Sequence, residues 1–140
     1  MLRAREDHIM DEAGIDAPSA LVVEDEEQDR ENLVRILSDE GFQVSTARTG
    51  REALDCIESR EFDLIVLDIL LPQIDGFDVM KRIKARDPEK LRKTVIVSRL
   101  NIADLKVFFP VSKVFTKPVD PDAMRTLARR VLNGESIAEG

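Results

Sequence analysis

Tryptophan and tyrosine are absent from the sequence, and cysteine and histidine occur once each. Each scarcity excludes something. With aromatics at only 4% of residues, aliphatic side chains must fill the core. A single cysteine, Cys56, rules out an internal disulfide framework. Its apolar helical setting (Ala53, Leu54, Ile57) marks a packed thiol, not a reactive one. One His and one Cys do not supply a zinc site. His8 lies in a charged stretch without the helical bundle that a phosphodonor histidine would want. Positive charge is also in deficit: 21 basic against 28 acidic residues leave a net charge of −7. That balance argues against a nucleic-acid backbone as main partner, and less strongly against anionic membranes. No apolar run is long enough to span a bilayer, and residues 1–16 are too charged for a signal peptide. A cytoplasmic protein with no membrane insertion is the expectation.

What is present suits one domain: 140 residues, of which 43% are hydrophobic. Residues 1–18 read as a flexible, charge-rich tail, residues 19–133 as the folded domain, and 134–140 as a C-terminal tail. Apolar runs at Ala20–Val23, Leu64–Leu67 and Thr94–Val97 read as buried strands. Phe42–Ala47 alternates like a half-exposed strand, and Ser112–Thr116 is a short fifth one. Helical spacing fills Glu27–Glu40, stopped by Gly41, then Gly50–Arg60 and Asp75–Arg86, closed by Asp87-Pro88. Asp120-Pro121 opens a last helix, which Asn133-Gly134 ends. Continuous apolar strands alternating with amphipathic helices imply an α/β fold, a five-stranded parallel sheet doubly wound with helices on both faces.

In such a sheet the binding crevice lies at the carboxyl ends of the strands. The first strand delivers Glu24 and Asp25 there, the third Asp68, the fourth Ser98 and the fifth Lys117. An acid after a strand is often only a cap or a solvated turn. Three carboxylates held close, however, repel one another unless a cation neutralises them, and their oxygens suit a hard divalent ion. Lys117 can hold a phosphoryl oxygen and Ser98 can donate to another, which is equipment for phosphoryl transfer.

The stretches Leu21-Val22-Val23-Glu24-Asp25, Leu64 to Gly76, Val95-Ile96-Val97-Ser98 and Thr116-Lys117-Pro118 resemble the receiver domain of two-component response regulators. The resemblance runs from about Ser19 to Leu132. It implies a chemotaxis-regulator-like (flavodoxin-like) sheet of order 2-1-3-4-5 and phosphorelay signal transduction by a single-domain response regulator. By that resemblance Asp68 is the phosphoacceptor, Asp25 a direct Mg²⁺ ligand and Glu24 a ligand through water. The Ile69 backbone carbonyl is a further ligand, Ser98 the switch hydroxyl and Lys117 the phosphoryl-binding lysine. The Lys117-Pro118 peptide is expected to be cis. Mg²⁺, or Mn²⁺ in its place, is the implied cofactor. The implied partners are a histidine kinase or histidine phosphotransfer protein, and a downstream protein of unknown identity.

Some features depart from the family pattern. Only 19 residues separate Ser98 from Lys117, a short spacing that includes Pro110, so the fourth helix is expected to be short or irregular. Arg99 stands where a small residue is usual. The position of the aromatic switch partner is Val114; Phe115 is adjacent but points to the other face, and Phe108 and Phe109 suit the core better. Apolar Leu70 and Leu100 flank the expected path of the hydrolytic water, which implies slow self-dephosphorylation. A dehalogenase-type phosphatase would want an acid at Leu70, and a nucleotide site would want a Gly-rich loop after the first strand. The remaining alternative is a pseudo-receiver that docks without being phosphorylated.

Overall fold

The computed structural model describes residues 17–100, 109–135 and 137. Most of the expected N-terminal tail, with His8, lies outside the described residues. So do Phe108, the segment 101–108 where the irregular fourth helix is expected, and residues 136 and 138–140.

The chain runs β1 (Ser19–Val23), α1 (Glu27–Asp39), β2 (Gln43–Ala47), α2 (Gly50–Ser59), β3 (Leu64–Asp68) and α3 (Gly76–Arg86). A 3-10 helix (Pro88–Lys93), β4 (Thr94–Ser98), β5 (Lys113–Thr116) and α4 (Pro121–Leu132) follow. The five strands form one parallel sheet in the order β2-β1-β3-β4-β5. This is the doubly wound architecture that the alternation of strands and helices implies. Every residue of β1, β3 and β4 is buried, whereas the edge strands β2 and β5 are partly open. Continuous apolar runs therefore mark the strands covered on both faces.

Successive strand residues face opposite ways, and this splits the core in two. Leu21, Val23, Ile65, Leu67 and Ile96 pack beneath α2, α3 and the 3-10 helix, with Leu54, Ile57, Met80, Ile83 and Leu91. Ala20, Val22, Val66, Val95 and Val97 pack beneath α1 and α4, with Leu33, Leu37, Met124 and Leu127. Ile137, in the stretch read as a C-terminal tail, is buried in this second cluster. Cys56 is half-buried against the first cluster, and burial raises its thiol pKa.

The helix ends follow their capping residues. Thr49 caps α2 by accepting from the Glu52 N–H at 3.1 Å, and Asp75 caps α3 by accepting from Asp78 N–H at 3.0 Å. Gly41, with φ of 108°, takes the chain out of α1 into β2. The 3-10 helix is not evident from the sequence, because Leu91 is its only apolar anchor and one residue shows no period.

Strand register sets what meets at the sheet's carboxyl edge. Val23 pairs with both Ala47 and Leu67, Asp68 with Val97, and Ser98 with Thr116. Glu24, Asp68, Ser98 and Lys117 thus emerge at one level. The start of α3 is held against this edge by Gly76, whose N–H donates to the Ile69 carbonyl at 2.9 Å. A Cβ on Gly76 would lie 2.6 Å from both the Asp68 carbonyl oxygen and Ile69 Cα, so the backbones fit only because no side chain intervenes. Gly76→Ala should therefore destabilise the fold by roughly 1–3 kcal/mol, as overpacking does. Urea unfolding should show a lower midpoint; an unchanged midpoint would contradict this close fit.

Candidate functional site

Glu24 continues β1 by donating its N–H to the Ala47 carbonyl at 3.0 Å, and its side chain is fully buried. Asp25 follows and is exposed. Asp68, the last residue of β3, is buried. One carboxylate oxygen from each of these three residues lies within 4.8 Å of the others.

Lys117 enters this group from β5. Its backbone N–H donates to the Ser98 carbonyl at 2.7 Å, and its peptide bond to Pro118 is cis, as expected. Its ammonium reaches three carboxylates: Glu24 Oε1 in a short contact, Asp68 Oδ2 at 2.9 Å and Asp29 Oδ2 at 3.1 Å. The second oxygens are also engaged. Glu24 Oε2 accepts from Glu26 N–H at 3.2 Å, and Asp68 Oδ1 accepts from Leu70 N–H at 3.0 Å. Arg30 donates to the Glu24 and Asp25 carbonyls at 3.3 Å each and fixes the loop that carries the acid pair.

Ser98 is fully buried at the end of β4, and its hydroxyl accepts from Leu100 N–H at 3.0 Å. The Ile69 carbonyl, expected to ligate a metal, is already engaged by Gly76 N–H, and Ile69 is fully buried. That bond ties it to α3 and uses one of its two lone pairs. Val114 is partly buried against the core beneath α2 and α3, while Phe115 is buried in the cluster beneath α1 and α4. The two switch candidates therefore face opposite sides of the sheet, and the Phe109 ring is core.

Sequence reasoning singles out Arg99 but misses Asp29 and the contact between the two. Asp29 is the third acceptor of Lys117, and Arg99 donates to the same Asp29 oxygen at 3.1 Å. Asp29 lies in the first turn of α1, directly after the loop that carries Glu24 and Asp25, and this nearness in sequence was the available signal. A groove of about 380 Å³ opens beside them, lined in part by Leu33, Ile36, Lys117 and Val119.

Burial, reinforced by the neighbouring Asp68 carboxylate and opposed by Lys117, pushes the Glu24 carboxyl up to about 7. Burial alone would lower Lys117, but its bonds to Glu24, Asp68 and Asp29 outweigh that and raise it, so it stays charged. Glu24, Asp25, Asp29 and Asp68 exceed the positive charge of Lys117 and Arg99, and only oxygen ligands are on offer. That donor set fits a hard divalent cation of the magnesium type better than a soft one.

Residues 20–129 match the family described as the response regulator receiver domain. The chain is 37% identical over 116 residues to the sensor histidine kinase AtsR of Burkholderia thailandensis, covering 80% of this chain and 19% of that protein. It is 43% identical over 70 residues to the transcriptional regulatory protein AfsQ1 of Streptomyces coelicolor, covering 50% of this chain and 31% of that protein. The chain thus spans a fifth to a third of these curated relatives. Among solved structures, the response regulator TrrA of Thermotoga maritima, in complex with Mg²⁺–BeF, superposes with a TM-score of 0.71 at 29% identity, covering 81% of this chain and 98% of that one. The chemotaxis response regulator CheY4 of Vibrio cholerae does so with a TM-score of 0.72 at 25% identity, covering 82% and 98%.

The raised Glu24 carboxyl makes a pH prediction. A folded-state value above the unfolded one contributes stability that is full below 4.5 and is lost as pH rises through about 7. In metal-free buffer, the stability of wild type relative to Glu24→Gln should fall across that interval. Denaturant titrations of both proteins at several pH values measure it, and a flat difference would contradict the buried carboxyl's raised value.

Proposed function

The chain belongs to the response regulator receiver domain family, and from that membership we propose that it accepts a phosphoryl group on Asp68 from the phosphohistidine of a histidine kinase or phosphotransfer protein, with Mg²⁺ required. The carrying observation is the Lys117 ammonium 2.9 Å from Asp68 Oδ2, inside a group of three carboxylates whose oxygens lie within 4.8 Å. That AtsR is a sensor histidine kinase and AfsQ1 a transcriptional regulator supports a place in two-component signalling. The Mg²⁺–BeF complex of TrrA supports the choice of metal.

Asp25 and Asp68 would hold Mg²⁺ directly and Glu24 would hold it through water; Mn²⁺ suits the same oxygens. The bound ion would neutralise charge on the transferring phosphoryl oxygens. An Asp68 carboxylate oxygen attacks phosphorus in line, its bond to phosphorus forms, and the phosphorus–nitrogen bond to the donor imidazole breaks. The imidazole leaves with the bonding pair and takes up a proton. Lys117 holds a phosphoryl oxygen throughout, and Ser98, whose oxygen accepts from Leu100 N–H, still has its own proton to donate to another. The acylphosphate then alters which protein surface is offered to a downstream partner.

Leu70 and Leu100, 46% and 48% exposed, stand two residues beyond Asp68 and Ser98. Neither side chain can orient an attacking water, so the acylphosphate should hydrolyse slowly. Leu70→Asn should shorten its lifetime by roughly threefold to tenfold, on the order of 1 kcal/mol in the barrier. Decay of radiolabelled protein in Mg²⁺ buffer measures this, and equal lifetimes would remove the role assigned to Leu70.

The central test is incubation with Mg²⁺ and a small phosphodonor such as phosphoramidate. Wild type should incorporate one phosphoryl group, Asp68→Asn none, and Lys117→Ala should react roughly a hundredfold more slowly, the scale of losing one charge-stabilising donor. Absence of Asp68-dependent labelling would instead favour a receiver fold that docks without phosphorylation.

A further inference from the structure

The ion pair between Asp29 and Arg99 takes no part in the reaction described above, yet it touches both of its moving parts. One oxygen, Asp29 Oδ2, accepts from Lys117 Nζ and from Arg99 Nη2, each at 3.1 Å. Lys117 is the ammonium that contacts Asp68. Arg99 is the residue directly after Ser98, within the turn that Ser98 Oγ closes by accepting from Leu100 N–H at 3.0 Å. Asp29 belongs to the first turn of α1. A single carboxylate oxygen thus ties the phosphoryl-binding lysine and the turn after the switch serine to one fixed helix.

We propose that Asp29 is a positioning residue: it anchors Arg99, and so holds the turn after Ser98 in its phosphoryl-free conformation. This rests on the receiver reading, and supplies the linkage that Val114, in place of an aromatic side chain, does not. An ammonium has three donors, and here Glu24, Asp68 and Asp29 take all three. A phosphoryl group on Asp68 brings further negative oxygens to Lys117, so one existing partner must be released. Asp29 is the partner to go: its side chain is 29% exposed, against 0% for Glu24 and 5% for Asp68, so water compensates its loss most readily. Movement of Ser98 toward the phosphoryl group carries Arg99 with it, and Arg99 must then leave Asp29. With Lys117 gone Asp29 is left wholly to Arg99, so the pair is a restraint that the movement of Ser98 has to overcome.

The bridge is open to solvent on the Arg99 side, where the side chain is 63% exposed. Its effect is accordingly a modest factor, roughly two- to fivefold. Two measurements on the full chain test it. In the phosphoryl-free protein, hydrogen exchange of the Leu100 amide should be faster by that factor in Arg99→Ala and in Asp29→Asn, and near wild type in Arg99→Lys, which rebuilds the pair. With Mg²⁺ and beryllofluoride as phosphoryl mimic, Arg99→Ala and Asp29→Asn should bind the mimic more tightly by a similar factor, and Arg99→Lys should not.

Unchanged Leu100 exchange in both variants would overturn the anchor whatever the mimic does. Weaker mimic binding by Arg99→Ala would also overturn it, since Arg99 would then be a phosphoryl-capturing group and not a restrained one. A wild-type protein that binds no mimic, but whose Leu100 exchange responds as stated, overturns the phosphorylation reading and upholds the anchor.

Discussion

Lys117 is the counter-charge on which the site depends. Burying Glu24 and Asp68 side by side costs free energy twice, through lost hydration and through mutual repulsion. One ammonium, only 6% exposed, bridges both and reaches Asp29 as well. Lysine suits this place better than arginine. Its three donors diverge from one small nitrogen and meet three carboxylates that approach from different directions, whereas a planar guanidinium is shaped for two oxygens of one group. Without that nitrogen the edge of the sheet would hold uncompensated buried acid, and Glu24 is already neutralised more easily than a normal carboxyl.

Compensation stops short of balance, and the imbalance has a use. The carboxylates outnumber the cations among them, so the folded protein carries electrostatic stress there that a bound divalent ion would relieve. An ion that binds the native state alone stabilises it by mass action. The fold tolerates the stress because its rigidity comes from elsewhere: two aliphatic layers on either face of the sheet, and a backbone fit at Gly76 that leaves the end of β3 no freedom to drift.

Much of this was legible in the sequence because the determinants are local. Runs such as Leu64–Leu67 give strands, the spacing of Leu33, Ile36 and Leu37 gives α1, and Asp120-Pro121 gives the start of α4. Once a parallel sheet is granted, residues at strand ends must converge, so Glu24, Asp68, Ser98 and Lys117 could be grouped before any coordinates. Contacts set by side-chain reach were not legible. Asp29 reads as one more polar residue on the outer face of α1, and nothing local links it to Arg99, seventy positions later. The same limit applies to Ile69. Resemblance offers its carbonyl to a metal, and only the close approach of Gly76 reveals that one of that oxygen's two lone pairs already has a partner.

The ends of β3 and β4 share one device. Asp68 and Ser98 each turn a side-chain oxygen back onto the N–H two residues on, at 3.0 Å in both cases. Such turns hold a polar side chain at a strand end without help from a distant element. They also leave capacity in reserve: the hydroxyl keeps its proton, and each carboxylate oxygen keeps a further lone pair. The site can therefore take up a charged ligand by redirecting existing groups, without first breaking the turns that aim them. What must give way is the longer-range tie through Lys117, because its donors are all committed. A structure in which the short-range bonds are spare and the long-range bond is saturated will respond to added charge through the long-range bond, and here that bond leads out of the site to α1.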